Sequence, residues 1–183
     1  ANGINPEITC KQVYEEYGSE FYSVSAILQN NKGIIFGHDW HNIAVADAVK
    51  YSVSHPIVFD SAPFDFCGKI YDLTDGGIIH NCPIALLIGR KDIEEILCIA
   101  LNITFEKKER FTGFMDVMKR VLGGTSDRNE ILSYYLGYKI WKEKFKFYEC
   151  KFEKDLDIFD VSEIPYIMEI GKKSAVETTE CDY

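Results

Sequence analysis

Two apolar runs, residues 84–88 and 97–105, separated by the charged segment 89–95, place the tightest constraint on how this chain folds. Runs this short, rich in Ile and Leu and bounded by Pro83 and Gly89, read as two buried strands joined by a solvated loop. A buried helix is the alternative for either run, but a helix interior calls for a longer periodic stretch. The expectation is a central hairpin over residues 83–105.

The flanks fit around such a hairpin. Residues 21–28 partly alternate, Gln29-Asn30-Asn31-Lys32-Gly33 supplies turn residues, and 34–36 is apolar again, which predicts a first hairpin; a helix over 19–29 is the rival. Ile43, Ala46 and Val49 fall at helical spacing, so a helix is expected from Asp39 or Asn42, either of which can cap it, to about Val53, before His55-Pro56. Residues 57–60 and 64–71 read as short strands, and Asp75-Gly76-Gly77 as a turn. Beyond Phe105 a helix carrying Phe111, Phe114, Met115, Met118 and Leu122 should stop at Gly123-Gly124. A second helix over 131–141, opened by Ser126 or Asp127, should follow, with a half-buried strand from Phe145. The tail from Lys154 is acidic and reads as irregular or only locally ordered. These elements predict an α+β fold: one helix packed on an antiparallel sheet, with a helical insertion at 106–144 and an acidic tail at 154–183. The whole chain, 1–183, is expected to form a single domain, its core made by 8–105 and 145–151.

A net charge of −9 opposes generic nucleic-acid binding, which depends on Lys and Arg. Charged or polar residues interrupt every apolar run before the ~18 residues a membrane span needs. The six cysteines, Cys10, Cys67, Cys82, Cys98, Cys150 and Cys181, form no CxxC pair and lie near no His at zinc spacing. An even, dispersed set fits up to three disulfides and a secreted protein, with Cys10 expected to pair with Cys150 or Cys181; reduced cytosolic thiols are the alternative. The opening Ala-Asn-Gly, without an initiating Met, is what a mature form leaves after signal cleavage. Asn102-Ile103-Thr104 is an acceptor sequon for glycosylation.

His38-Asp39-Trp40-His41 carries the most chemically suggestive side chains. Two His flanking a carboxylate and an indole could serve as acid, base and stacking platform, although a helix cap with surface His produces the same string. Asp60, Asp65, Asp72 and Asp75 offer carboxylates near strand ends, and Arg90 follows the first central run. There is no GxSxG, phosphate loop or HExxH, no cofactor is indicated, and metal binding, with only His55 and His80 left as further ligands, is not expected. Tyr134, Tyr135, Tyr138 and Trp141, interleaved with Lys139, Lys142, Lys144 and Lys146, could pack as core, bind a protein, or stack on single-stranded RNA.

Several stretches together carry a resemblance: Gly33-Ile34-Ile35-Phe36, then Asn42-Ile43 with Ala46, Ala48 and Val49, His55-Pro56-Ile57 with Phe59, Phe64 with Phe66, and Phe147-Tyr148-Glu149-Cys150. In this order the chain resembles the secreted fungal guanine-specific ribonucleases, and more closely the ribonuclease-like secreted effectors of powdery mildew fungi. The ribonuclease enzymes place an Arg inside the first central strand and a His on the second, where this chain has Ala85-Leu86-Leu87 and Leu101-Asn102-Ile103. Leu and Asn can neither take nor return a proton as base and acid. The resemblance therefore implies a catalytically empty scaffold that binds a host protein, with RNA as the second candidate. Trp40, Tyr134, Tyr135, Tyr138 and Trp141 are the expected contact residues. The alternatives are a secreted hydrolase using His38, His41, Asp65 and Arg90, and a small-ligand carrier built as a closed barrel.

Overall fold

A computed structural model describes residues 5–40, 42–56, 59–102, 113–151 and 161–176. The fold is α+β, with five α-helices, a four-stranded antiparallel sheet and a parallel strand pair among the described residues. Two compact units emerge: Ala1–Pro83 with Phe114–Ile131, and Ile84–Gly113 with Leu132–Tyr183. These boundaries differ from the division into core, insertion and tail read from the sequence.

The first unit begins with α1 (Cys10–Tyr17), a helix not expected from the sequence. Thr9 and Gln12 form a reciprocal cap: the Thr9 hydroxyl accepts from the Gln12 amide at 3.2 Å and the Gln12 side chain accepts from the Thr9 amide at 2.9 Å. The sheet runs in the order β2-β1-β4-β3, with β1 Ser23–Ile27, β2 Lys32–Phe36, β3 Ala62–Phe66 and β4 Lys69–Asp75. The first hairpin forms as expected, with Ser23 opposite Phe36 and Ile27 opposite Lys32. Among the described residues β2 and β3 are the outer strands and do not pair with each other, so the sheet does not close into a barrel.

The strand expected over 64–71 is instead a second hairpin. Cys67 and Gly68, at φ 53° and 78°, make the two-residue turn between β3 and β4, and both carry the positive φ that the mirror-image hairpin turn requires. Phe66 opposite Lys69 closes that turn, so alternate residues Pro63 and Asp65 turn their backbone to the open edge. A proline without an N–H is tolerated there. Of the strand expected at 57–60, Phe59 and Asp60 are irregular, and Ile57 and Val58 lie outside the described residues.

Helix α2 spans Val45–Ser52, later than expected, and no side chain caps it. The Val45 amide donates instead to the Ile8 carbonyl at 2.9 Å, and the Cys10 amide to Ile43 at 3.0 Å. Each helix start thus satisfies part of the other, and Asp39 and Asn42 are not needed as caps. Cys10, Phe36, Ala48, Phe64 and Leu73 form the core. Cys10 carries a free thiol sealed in that core, where burial pushes its pKa up, so the bond expected from it to Cys150 or Cys181 is not made. Cys181 lies outside the described residues. A four-residue helix, α3 (Gly77–His80), follows β4 where a turn was expected.

In the second unit, residues 84–87 form a 3-10 turn, not a strand. Its bonds are local, with the Arg90 amide returning to the Leu87 carbonyl at 3.2 Å. The strand β5 (Ile96–Asn102) therefore has no hairpin partner there; it pairs in parallel with β6 (Phe145–Lys151), Ile96 opposite Phe145 and Asn102 opposite Lys151. A parallel pair needs a crossover, and α4 (Phe114–Trp141) lies between the two strands in sequence. This helix runs 28 residues, straight through Gly123-Gly124, Ser126 and Asp127. Interior Gly costs about 1 kcal/mol each without ending a helix, and the chain leaves helical geometry only at Lys142, φ 49° and ψ −121°. Phe111, expected in this helix, lies outside the described residues. The tail, expected to be irregular or only locally ordered, carries a 13-residue helix, α5 (Ile164–Val176), which packs on β6.

Within this unit Gly137 marks the closest approach. A Cβ there would come within 2.6 Å of the Phe145 ring and 2.7 Å of Ile84 Cδ1. Overpacking of this kind costs about 1–3 kcal/mol, against about 1 kcal/mol gained in helix propensity. Gly137→Ala is expected to lower the urea midpoint followed by Trp141 fluorescence, with a net loss of about 1 kcal/mol.

Candidate functional site

His38 follows β2 and stacks on Tyr14 of α1, ring centroids 5.0 Å apart. Its Nδ1 lies 3.3 Å from the Tyr22 hydroxyl and its Nε2 3.4 Å from Asp39 Oδ1. Tyr22 in turn donates to Glu20 at 3.1 Å. Asp65 is used differently: its carboxylate accepts the Gly68 amide at 2.8 Å and pins the β3–β4 turn. Arg90 belongs to the second unit, where its Nε donates to Asp92 at 3.0 Å and its guanidinium holds the Asp92 carboxyl below the usual range. His41 lies outside the described residues. Each described member of the expected acid–base set thus has a local structural task.

The facing catalytic strands implied by the resemblance are also not formed. Ala85, Leu86 and Leu87 lie in the 3-10 turn, and Asn102 ends a strand whose neighbour is β6. The sequon at Asn102 continues into Ile103 and Thr104, outside the described residues.

Trp40, expected as a contact residue, is half-buried. Its indole N–H donates to the Ile35 carbonyl at 2.8 Å, and its ring meets Phe36 and Phe64 edge-on at 5.1 and 5.8 Å. It is a wall of the core. Along the open β3 edge of the same unit a groove of about 360 Å³ is lined by Val53, Phe59, Ala62 and Pro63, with Lys50 and Asp60 among its polar lining residues.

The aromatic helix divides by phase. Tyr134, Gly137 and Trp141, at i, i+3 and i+7, are buried, and Tyr134 packs on Phe147 with centroids 4.3 Å apart. Tyr135 and Tyr138 are 56% and 47% exposed, and Lys139 Nζ lies 5.3 Å over the Tyr135 ring. Leu132, Leu136 and Ile140, which the sequence reading did not single out, are exposed beside them, as are Leu97 and Ile99 on β5. Their i, i+4, i+8 spacing in the sequence was the available signal.

Among the described residues no group of three or more His, Cys, Asp or Glu is placed to hold a metal ion, and no helix is long and apolar enough to cross a membrane. No protein-family model matches the chain, and no curated protein matches it.

Proposed function

We propose that this chain is a secreted, non-catalytic binding protein, effector-like in its action on a host protein, and that the second unit carries its contact surface. One observation supports this most: over residues 132–141 α4 carries apolar side chains on its outward side as well as its inward side. A helix that buries Tyr134 and Trp141 on one side and leaves Leu132, Tyr135, Leu136 and Ile140 in solvent on the other presents a contact surface. Parallel strands are ordinarily covered on both faces, yet Leu97 and Ile99 are 55% and 65% exposed. Exposed Tyr with neighbouring Lys and aliphatic residues suits a protein partner better than RNA, given the net charge of −9. Secretion rests on the even cysteine count and the sequon of the sequence, since Cys67 as well as Cys10 carries a free thiol and the disulfides expected from them are not made, and the effector assignment rests on the sequence resemblance alone.

Affinity capture with matched variants tests the reading. A protein retained by the wild type should be lost, by at least about tenfold, on Tyr135→Asp or Leu136→Asp, and kept on Phe59→Asp, an equally exposed position in the first unit. Turnover of single-stranded RNA that disappears in His38→Ala would overturn it.

A further inference from the structure

Over its last turns α4 offers two parallel ridges to solvent. Leu132, Leu136 and Ile140 recur every four residues on one, Tyr135 and Lys139 on the next, and all five are exposed. Rows with this spacing leave a groove between them, and such a groove is filled by a row of side chains from a second helix. Tyr134, Gly137 and Trp141 lie on the buried side of α4, so the groove faces outward.

Charge at the C-terminal end of this groove runs against that of the chain. Lys139, Lys142 and Lys144 are exposed, with Glu143 as the one acid among residues 138–145, in a chain of net charge −9. Lys146, next in line, is engaged by Glu95 at 2.7 Å. Lys139 suits the negative end of the helix dipole and covers the Tyr135 ring, which accounts for it locally. Lys142 and Lys144 lie beyond the helix, in the 3-10 turn Lys142–Lys144. Lys142 is held at φ 49° and ψ −121°, where a side chain is strained and glycine is not. A lysine at a position that glycine would fill at lower cost points to a task for its charge.

We propose that the groove on α4 takes an acidic amphipathic helix of the protein partner, a partner chemistry that rests on the second unit being the contact surface. The apolar side chains of the incoming helix bury against Leu132, Leu136 and Ile140 and supply the affinity. Its carboxylates meet Lys139, Lys142 and Lys144, and they set partner choice and orientation. Because this rim is solvated, each pair contributes little alone, and the three together discriminate.

Two labelled helical peptides test the proposal against the full chain by fluorescence anisotropy. Both carry Leu at i, i+3, i+4 and i+7, and the polar face is Glu and Gln in one, Lys and Gln in the other; a single-stranded oligouridine is the third probe. The Glu peptide should bind about tenfold tighter than the Lys peptide, about two- to threefold for each rim lysine, although the net charge of −9 favours the Lys peptide. That preference should collapse between about 0.1 and about 1 M salt, as the Debye length falls from about 10 to about 3 Å, and should vanish when Lys139→Ala, Lys142→Gly and Lys144→Ala are combined. Lys142→Gly alone should weaken the Glu peptide about two- to threefold while raising the urea midpoint, a pairing that a lysine placed for folding would not give. Equal binding of the two peptides, with both lost on Leu136→Asp, overturns the acidic partner and leaves the contact surface standing. If neither peptide binds, or Leu136→Asp binds the Glu peptide as the wild type does, both readings fail. Tighter binding of oligouridine than of the Glu peptide overturns the proposal in favour of RNA.

Discussion

Gly76→Ala is expected to cost the first unit at least about 3 kcal/mol. Gly76 has ordinary helical geometry, φ −69° and ψ −25°, which any residue adopts, so the need for glycine lies in space alone. A Cβ at this position would stand 2.0 Å from the Val24 carbonyl oxygen and 2.5 Å from its carbon. Val24 cannot retreat, because β1 is an inner strand, held by β2 on one side and β4 on the other. Nor can Gly76 move away. Its amide donates to Ser52 at 3.2 Å, the preceding amide of Asp75 donates to Ser54 at 3.0 Å, and the Asp75 carboxylate takes the Gly77 amide at 2.6 Å. The methyl must therefore break register or uncouple α3 from the sheet. Urea unfolding in a Trp141→Phe background, which leaves Trp40 as the one indole, reads the first unit directly. A midpoint within about 1 kcal/mol of the parent would contradict the close approach.

What the sequence disclosed and concealed follows a physical line. The β1–β2 hairpin and β6 were legible because alternation and turn residues are local signals. A helix near α2 was legible from apolar spacing, but Ile43 precedes it, Ala46 and Val49 are exposed, and its buried residue is Ala48. Helix α1 was hidden from periodicity, since it buries only Cys10, although Thr9 and Gln12 spell a capping box. Residues 84–87 and 97–102 look alike as apolar runs, and only non-local pairing separates them: β6, more than 40 positions after β5, takes the place of the expected neighbour. The Cys67–Gly68 turn was obscured because Cys is not a turn residue, even with Gly behind it. At the candidate surface, the sequence named Tyr134, Tyr135, Tyr138 and Trp141 as one group. The phase of α4 splits them: Tyr134 and Trp141 are buried, Tyr135 and Tyr138 exposed.

Phe36→Ala is expected to cost about 3–5 kcal/mol, through lost transfer free energy and a cavity the surroundings cannot fill. Phe36 is fully buried at the end of β2, with the rings of Trp40, Tyr51 and Phe64 at 5.1, 5.6 and 5.3 Å. These neighbours are not at liberty to close in. Trp40 is tied to the Ile35 carbonyl, Phe64 to its place opposite Tyr71 in the β3–β4 ladder, and Tyr51 to the last turn of α2. The edge-to-face contacts that Phe36 makes with Trp40 and Phe64 add about 0.5–1.5 kcal/mol each beyond area burial, which places the loss toward the upper end of the range. Phe66, 47% exposed at the tip of the same hairpin, gives the contrast: Phe66→Ala should cost about half as much, because nearly half of that residue's surface already meets water. In urea unfolding followed by Trp40 fluorescence the two variants should differ in midpoint with an unchanged slope. Equal midpoints would mean that the aromatic cluster closes around a missing ring, and that the first unit's core does not depend on this packing.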